Sequence, residues 1–337
     1  MLSTLHALFT RYRRRHPGRM RRLARPVVSI GNISTGGRAK SPMAELVARA
    51  LLEAGERPAI LSRGYARERK TETPVVVRDA EAVRAGVPES GDEPLMLAEA
   101  LDGAIVVVHG DRARAGAVAE GLGATVHILD DGLQHLRLQR DIDIVMIDAR
   151  DLDDRVMPSG RLREPVDALT AAHAIVMVDA APGDVSAAWM RLAEISDAQV
   201  FTAARRVEAP PSDLAGRRAL LVSGIADGDQ LARHVAAAGW TIAGARAFTD
   251  HHRYGAADVD AIQREAAAAG AFVLTTAKDA VRLRGVWRGG LPLHVATMTL
   301  EIDGTFGDWL IERVSAARAA RSLQERRLRE DGERRAQ

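Results

Sequence analysis

The 337-residue sequence contains no cysteine. That absence excludes disulfides, thiolate metal sites and a cysteine nucleophile, and it fits a reducing compartment. Aromatic residues make up only 4%, against 47% hydrophobic residues in all, a balance suited to a soluble α/β protein rather than an all-β or disordered one. Acidic residues are missing until Glu45, while Arg11, Arg13, Arg14, Arg15, Arg19, Arg21, Arg22 and Arg25 crowd the start. No apolar run is long enough to span a bilayer, and none reads as a secretory signal. With a net charge of only +2 the whole molecule is not built to bind a polyanion, and no nucleic-acid partner is expected.

Ahead of the arginines, Leu2, Leu5, Leu8 and Phe9 repeat at helical spacing. A short amphipathic helix with a basic follow-on can lie on an anionic bilayer, where each nearby cation contributes about 1 kcal/mol. A solvated basic arm and a targeting peptide are the other readings.

Apolar runs of strand length recur with helical stretches between them: Pro58 to Leu61, Val75 to Val77, Ala104 to Val108, Val126 to Leu129, Ile142 to Ile147 and Ala174 to Val178. Buried strands alternating with helices predict a doubly wound, mainly parallel sheet with its ligands at the carboxyl ends of the strands. The segment after Val207, EAPPSDLAGRR, reads as a linker. A second alternating set follows, with strands over Ala219 to Ser223, Thr241 to Phe248, Phe272 to Thr276 and Leu293 to Thr297 and helices near Asp229 to Ala238 and Ala257 to Ala269. The expected organisation is therefore a basic amphipathic segment over 1–25, a main domain over 26–206, a smaller α/β domain over 207–315, and a charged tail over 316–337 that frays into disorder.

The stretch PVVSIGNISTGGRAKSPMAELVARALLEA, Pro26 to Ala54, gives a buried strand, a glycine-rich turn and a helix opened by Ser41-Pro42. Backbone N–H groups at such a turn converge on one spot where the helix dipole also favours negative charge, which is a phosphate-binding layout. It partly matches the G-x-x-x-x-G-K-[ST] pattern of a P-loop. Ser34 holds the first glycine position and Ala39 the second, with Gly36 and Gly37 keeping the turn permissive. Lys40 then reaches the β- and γ-phosphates and the Ser41 hydroxyl serves Mg²⁺; an ordinary strand-to-helix turn is the plain alternative.

The other informative residues sit at strand ends. Asp130-Asp131-Gly132 offers adjacent carboxylates, tolerated most easily beside a cation, or else a helix cap and turn. Gly91-Asp92-Glu93-Pro94 precedes a helical run; Asp92 is either its cap or a general base that accepts a hydroxyl proton during phosphoryl transfer. Asp250-His251-His252-Arg253-Tyr254 suits an acid/base or orienting role at a domain cleft, or a polar loop. Thr275-Thr276-Ala277-Lys278-Asp279 offers hydroxyls and a cation to a phosphate, or a helix cap. Arg63, Arg112, Arg161 and Arg163 are candidate phosphate clamps.

Taken together, VSIGNISTGGRAKSP (Val28 to Pro42), LSRGYAR (Leu61 to Arg67), GDEPLMLA (Gly91 to Ala98), DDGLQHLRLQRDIDIVMIDA (Asp130 to Ala149), PSGRLREP (Pro158 to Pro165), DHHRY (Asp250 to Tyr254) and LTTAKDAVRL (Leu274 to Leu283) resemble the tetraacyldisaccharide 4'-kinases. These motifs run in family order over nearly the whole chain. The resemblance implies a P-loop NTPase-like kinase of two α/β domains with an N-terminal amphipathic helix. It would act with ATP and Mg²⁺ on the 4'-hydroxyl of a lipid A disaccharide precursor at the cytoplasmic face of the inner membrane, with α-helical residues 2–15 meeting an anionic surface. Carried over by motif, Ser34, Thr35, Gly36, Gly37, Arg38, Ala39, Lys40 and Ser41 hold ATP, and Ser41, Asp131 and Glu164 serve Mg²⁺. Asp92 is the base with His251 or its neighbour His252 as partner, and Lys40 and Arg112 neutralise the transferring phosphoryl.

The family normally has glycine at Ala39 and at Ala66, a small residue at Arg38 and glutamate at Ala277. Ala39 is expected to crowd the nucleotide, and Arg38 either to clash with the phosphates or to add a cation to them. Those departures define two alternatives: a catalytically weakened homologue that keeps the fold and the lipid contact, and a P-loop switch or assembly ATPase that acts on a protein.

Overall fold

Runs of Val, Ile and Leu buried on both faces form strands because β-branched side chains fit the pleated surface and the sheet ladder pairs their buried backbone polar groups. In the computed structural model, which describes residues 2–225, 227–288 and 290–336, the chain begins with α1 (Leu2–Arg15), β1 (Val27–Asn32), α2 (Lys40–Glu53), β2 (Pro58–Ser62), β3 (Val75–Arg78), α3 (Val87–Ser90) and α4 (Asp92–Ala100). It continues through β4 (Ile105–Val108), α5 (Arg112–Gly121), β5 (Val126–Asp130), β6 (Ile142–Ile147), β7 (Ala174–Val178), α6 (Pro182–Ile195) and β8 (Gln199–Val207). Then come β9 (Arg218–Ser223), α7 (Gly228–Ala237), β10 (Thr241–Ala247), α8 (Ala256–Ala268), β11 (Phe272–Thr276), α9 (Ala277–Leu283), β12 (Leu293–Ala296), β13 (Met298–Ile302) and α10 (Phe306–Ala336).

Among the described residues the larger sheet has nine strands in the order β13-β8-β7-β6-β1-β5-β2-β4-β3. It is parallel except at its edges, where β3 runs antiparallel to β4 and β13 antiparallel to β8. Strand β1 lies between β5 and β6 and β2 lies beyond β5, so the loops leaving β1, β5 and β6 meet at the topological switch point. Helix α2 covers one face of the sheet with Met43, Val47 and Leu51 fully buried, each contributing about 1.5–3 kcal/mol. Helix α5 covers the other face through Ala115 and Ala119.

The smaller sheet, β10-β9-β11-β12, is parallel throughout. Leu231 and Val235 of α7 pack on one face, and Val259, Ile262 and Ala266 of α8 on the other.

Two expectations about organisation are corrected. The smaller unit does not extend to residue 315, because β13 returns to the larger sheet, where Met298 pairs with Val207, and Phe306, Leu310 and Val314 of α10 are buried in the larger core. The smaller unit is thus an insertion between neighbouring strands. Nor is the tail from 316 onward free of the body. Arg318 Nη2 donates to Glu56 Oε1 at 2.7 Å, while Arg321 bonds Asp141 Oδ2 at 2.5 Å and the Leu23 carbonyl.

Helix α1 forms as expected, and its docking is polar. His6 Nε2 lies 2.9 Å from the Arg163 carbonyl, Arg11 Nε donates to Asp167 Oδ2 at 2.6 Å, and Arg14 bonds Glu164. Leu2, Leu5, Leu8, Phe9 and Tyr12 are left more than half exposed on the outer side. No helix among the described residues is long and apolar enough to cross a membrane.

Candidate active site

The loop between β1 and α2 is tethered at both ends. Thr35 donates its N–H to the Arg161 carbonyl at 2.8 Å and its hydroxyl to the same oxygen at 3.2 Å, while Ser34 bridges to Leu162. Gly36 and Gly37 form the exposed tip. Arg38 turns back into the protein. Its Nη2 donates to Asp151 Oδ1 at 2.6 Å and its Nε to Asp151 Oδ2 at 3.2 Å and Ser34 Oγ at 3.1 Å, with Asp148 Oδ2 3.4 Å from Nη1. The guanidinium is therefore engaged by Asp151, Asp148 and Ser34 rather than directed at the tip of the loop. Ala39 sits at φ 53°, ψ 30°, a left-handed conformation that costs an L-residue about 1–2 kcal/mol. Its side chain is buried within the main core, so the methyl does not crowd the loop.

Lys40 opens α2 and directs Nζ to Asn32 Oδ1 at 3.1 Å, with Asp131 Oδ1 at 3.6 Å. Asn32 went unnoticed in the sequence, although it ends the strand beside the loop. Ser41 follows on the first turn with its hydroxyl in no side-chain hydrogen bond among the described residues.

The Asp130-Asp131-Gly132 turn closes against β1, where a Cβ on Gly132 would come within 2.7 Å of Ser29 Oγ. No helix follows it, so the cap reading fails here. Asp131 adopts φ 52°, and its Oδ1 is buried without a hydrogen-bond partner. Burial, reinforced by Glu93 and Asp131 and opposed by Lys40 and Arg112, pushes Asp130 up to about 7. A carboxylate oxygen without a hydrogen-bond donor, 3.6 Å from the Lys40 ammonium, beside a second acid whose proton affinity is raised, suits a cation. Among the described residues no three His, Asp or Glu side chains form an ion cage, so an ion held here would complete its shell with hydroxyl, water and phosphate oxygens, as Mg²⁺ does.

Arg112 begins α5 and is buried, donating Nη1 to the His109 carbonyl at 2.9 Å. Burial, with Arg63 alongside, lowers it to about 10 against the pull of Asp130 and Asp131. Arg163 Nη1 lies 3.3 Å from Asp131 Oδ2, whereas Arg161 pairs with Asp154 at 2.8 Å. Glu164, expected to serve the metal, is bonded to Arg14 of α1 instead; the strand-end pattern gave no sign of that partner.

Asp92 is brought to the smaller unit by α4. Gly91 precedes it at φ 85°, and a Cβ there would lie 2.8 Å from the Tyr65 carbonyl oxygen, so the turn tolerates little else. Asp92 is not a cap, since Gly91 occupies that position with no side-chain bond. Asp92 Oδ2 lies 2.9 Å from His251 Nδ1 and 3.4 Å from Arg282 Nε. His251 holds a left-handed φ of 58°, the kind of backbone strain that collects at functional sites. His252 is excluded as partner: its Nε2 meets Asp258 Oδ2 at 3.1 Å and its ring stacks on Phe248.

Around this pair, Lys278 Nζ lies 3.2 Å from Glu93 Oε1, 3.1 Å from Asp250 Oδ1 and 3.4 Å from His251 Nε2. Burial works to raise the Asp92 carboxyl, but the His251 hydrogen bond and the charges of Lys278, His251 and Arg282 hold it below its ordinary value. The bond to Asp92 raises His251 against the effect of burial. Thr276 caps α9 by accepting from the Asp279 N–H at 3.0 Å, so its hydroxyl is a cap. Asp279, fully buried, accepts from Tyr254 Oη at 2.8 Å, Arg282 Nη2 at 2.8 Å and the Gly224 N–H at 3.0 Å. That buried network fixes Arg282 toward Asp92; the sequence shows its members only as separate strand ends.

A family model described as tetraacyldisaccharide-1-P 4'-kinase matches residues 1–315. A tetraacyldisaccharide 4'-kinase of Geobacter metallireducens is 37% identical over 295 residues, covering 84% of this chain and 87% of its own length. That of Anaeromyxobacter dehalogenans (strain 2CP-C) is 40% identical over 279 residues, covering 78% of this chain and 73% of its own. A crystal structure of LpxK from Aquifex aeolicus in complex with ATP matches with a TM-score of 0.75 at 29% identity, over 93% of this chain and 97% of that one.

Proposed function

The chain belongs to the tetraacyldisaccharide-1-P 4'-kinase family, and from that membership we propose how its residues carry the reaction. It is an ATP-dependent kinase that phosphorylates the 4'-hydroxyl of a tetraacyldisaccharide 1-phosphate in lipid A biosynthesis. The observation that supports the assignment of roles is the Asp92–His251 contact at 2.9 Å, beside Glu93, whose charge acts on the same buried acid, Asp130, as those of Lys40 and Arg112.

In this reading Lys40 and the amides from Gly36 to Ser41 hold the β- and γ-phosphates, and Arg112 neutralises charge on the phosphoryl in flight. Asp92, kept ionised, accepts the proton of the 4'-hydroxyl while that oxygen attacks phosphorus and the β-phosphate leaves. Positioning and charge stabilisation supply most of the acceleration in such a reaction. The Ser41 hydroxyl and Asp131 Oδ1 would hold Mg²⁺, which would supply charge neutralisation across the phosphates. Glu164 would have to exchange Arg14 to join them. The weakened-homologue alternative has nothing behind it, since the Ala39 methyl is packed in the core and Lys40 faces the acid pair.

The outward stripe of Leu2, Leu5, Leu8, Phe9 and Tyr12 on α1, rimmed by arginines, suits the anionic cytoplasmic face of the inner membrane, where the lipid acceptor would be met. Radiolabelled phosphate transfer from ATP to the disaccharide acceptor tests the reaction and the base together. Asp92→Asn is expected to lower kcat by about 10²–10⁴ with Mg-ATP binding retained; wild-type turnover in that variant would overturn the base assignment.

A further inference from the structure

We propose that Lys278 is a positioning residue for the Asp92–His251 pair: anchored between Glu93 and Asp250, its ammonium holds His251 in the tautomer protonated at Nδ1 and opposes a proton at Nε2. The inference rests on the reading of Asp92 as the base and adds a residue from the smaller unit to it.

An ionised carboxylate only accepts hydrogen bonds, so the ring nitrogen 2.9 Å from Asp92 Oδ2 carries a proton. An ammonium only donates. With Lys278 Nζ 3.4 Å from Nε2, a neutral ring presents its lone pair to the lysine, whereas a protonated ring sets N–H against N–H between two cations. The charged groups around His251 are Asp92 and Glu93 from α4, Lys278 and Arg282 from α9, and Asp250 on its own loop. From the loop after β2 comes only the Tyr65 ring, 5.2 Å away. Among the described residues Asp250 Oδ2, at 3.7 Å from Nε2, is the acid placed to attract a proton there, and its other oxygen already accepts from Lys278 at 3.1 Å.

Lys278 is therefore more than a tie between two units. By occupying the lone pair of Nε2 it leaves Asp92 as the group open to a proton from the acceptor, while Nδ1–H keeps the carboxylate oriented. Its charge also acts on both members of the pair in one direction, favouring the unprotonated state.

The test compares pH profiles of kcat/KM for the wild type, Lys278→Met and Lys278→Arg, with folding checked by circular dichroism. Loss of the cation raises the pH at which the pair takes up a proton, so the acid limb of Lys278→Met is expected to move up by about one pH unit. Lys278→Arg, which keeps the charge, should restore the limb. A second measurement needs no variant: because the bond to Asp92 raises His251, ¹⁵N chemical shifts of His251 in the wild type are read at pH 9, where Lys278 keeps its charge, and should report Nδ1–H with an unprotonated Nε2. An acid limb unmoved in Lys278→Met, or a proton on Nε2 in the wild type at pH 9, would overturn the inference. Failure of the base reading looks different, because active Asp92→Asn would leave the tautomer result standing.

Discussion

Replacing Arg38 with methionine isolates what holds the phosphate loop. The guanidinium is buried against Asp151, which is itself fully buried, through contacts of 2.6 and 3.2 Å. Removing one partner of a buried ion pair costs about 3–5 kcal/mol because the other charge is left uncompensated. Asp151 would still accept from Ser34 Oγ at 3.0 Å and the Asp148 N–H at 3.0 Å and keep Arg161 Nη2 3.9 Å from Oδ1, so the lower end, about 3 kcal/mol, is expected. Neutralising both partners, Arg38→Met with Asp151→Asn, removes the poorly compensated buried charge and should recover about 2 kcal/mol in a double-mutant cycle. Urea unfolding without nucleotide measures these terms, and titration with Mg-ATP measures the loop. Affinity should fall about tenfold in both variants, a loss of about 1.4 kcal/mol, because the loop loses its inner tether in each. A single variant within about 0.5 kcal/mol of wild type, or nucleotide affinity untouched in the double variant, would refute the claim that this pair fixes the loop.

Two further outcomes follow from the acid pair and from α1. Asp130 is raised to about 7, above its unfolded value of about 3.9, so its stabilising contribution is complete below that value and is lost as pH rises through 7. Nucleotide-free protein should lose on the order of 2–4 kcal/mol from this group between those limits, and Asp130→Asn should flatten the slope; identical thermal-melting profiles would contradict it. Leu5→Glu with Phe9→Glu on the exposed face of α1 should weaken sedimentation with anionic vesicles by more than about tenfold. Equal binding by the wild type and this variant would detach the helix from any membrane role.

What the sequence reveals and what it hides divide along physical lines. Strands β1, β2, β4, β5, β6 and β7 are legible because burial on both faces demands continuous apolar runs. Strand β8 is half-exposed and carries Arg205 and Arg206, and β13 alternates as MTLEI, so neither stands out, and the return of the chain to the larger sheet is hidden with them. At the site, Lys40, Asp92, Asp131 and His251 are legible as residue types at strand ends. Their partners are not. The Arg38–Asp151 pair spans 113 positions and the Lys278–Glu93 pair 185, and no local spacing encodes either contact. Glu164 shows the reverse, a recognisable motif residue whose carboxylate is engaged by Arg14.

The insertion of the smaller unit between β8 and β13 bears on how the chain matures. During synthesis the second sheet, complete by Ala296, emerges before the edge strand and the buried turn of α10 that finish the first. Domains tend to fold as units in the order they leave the ribosome, yet here the unit that starts first must wait for the one nested inside it. Until Phe306, Leu310 and Val314 arrive, the earlier core keeps an uncovered apolar face, a window in which a chaperone would find its grip.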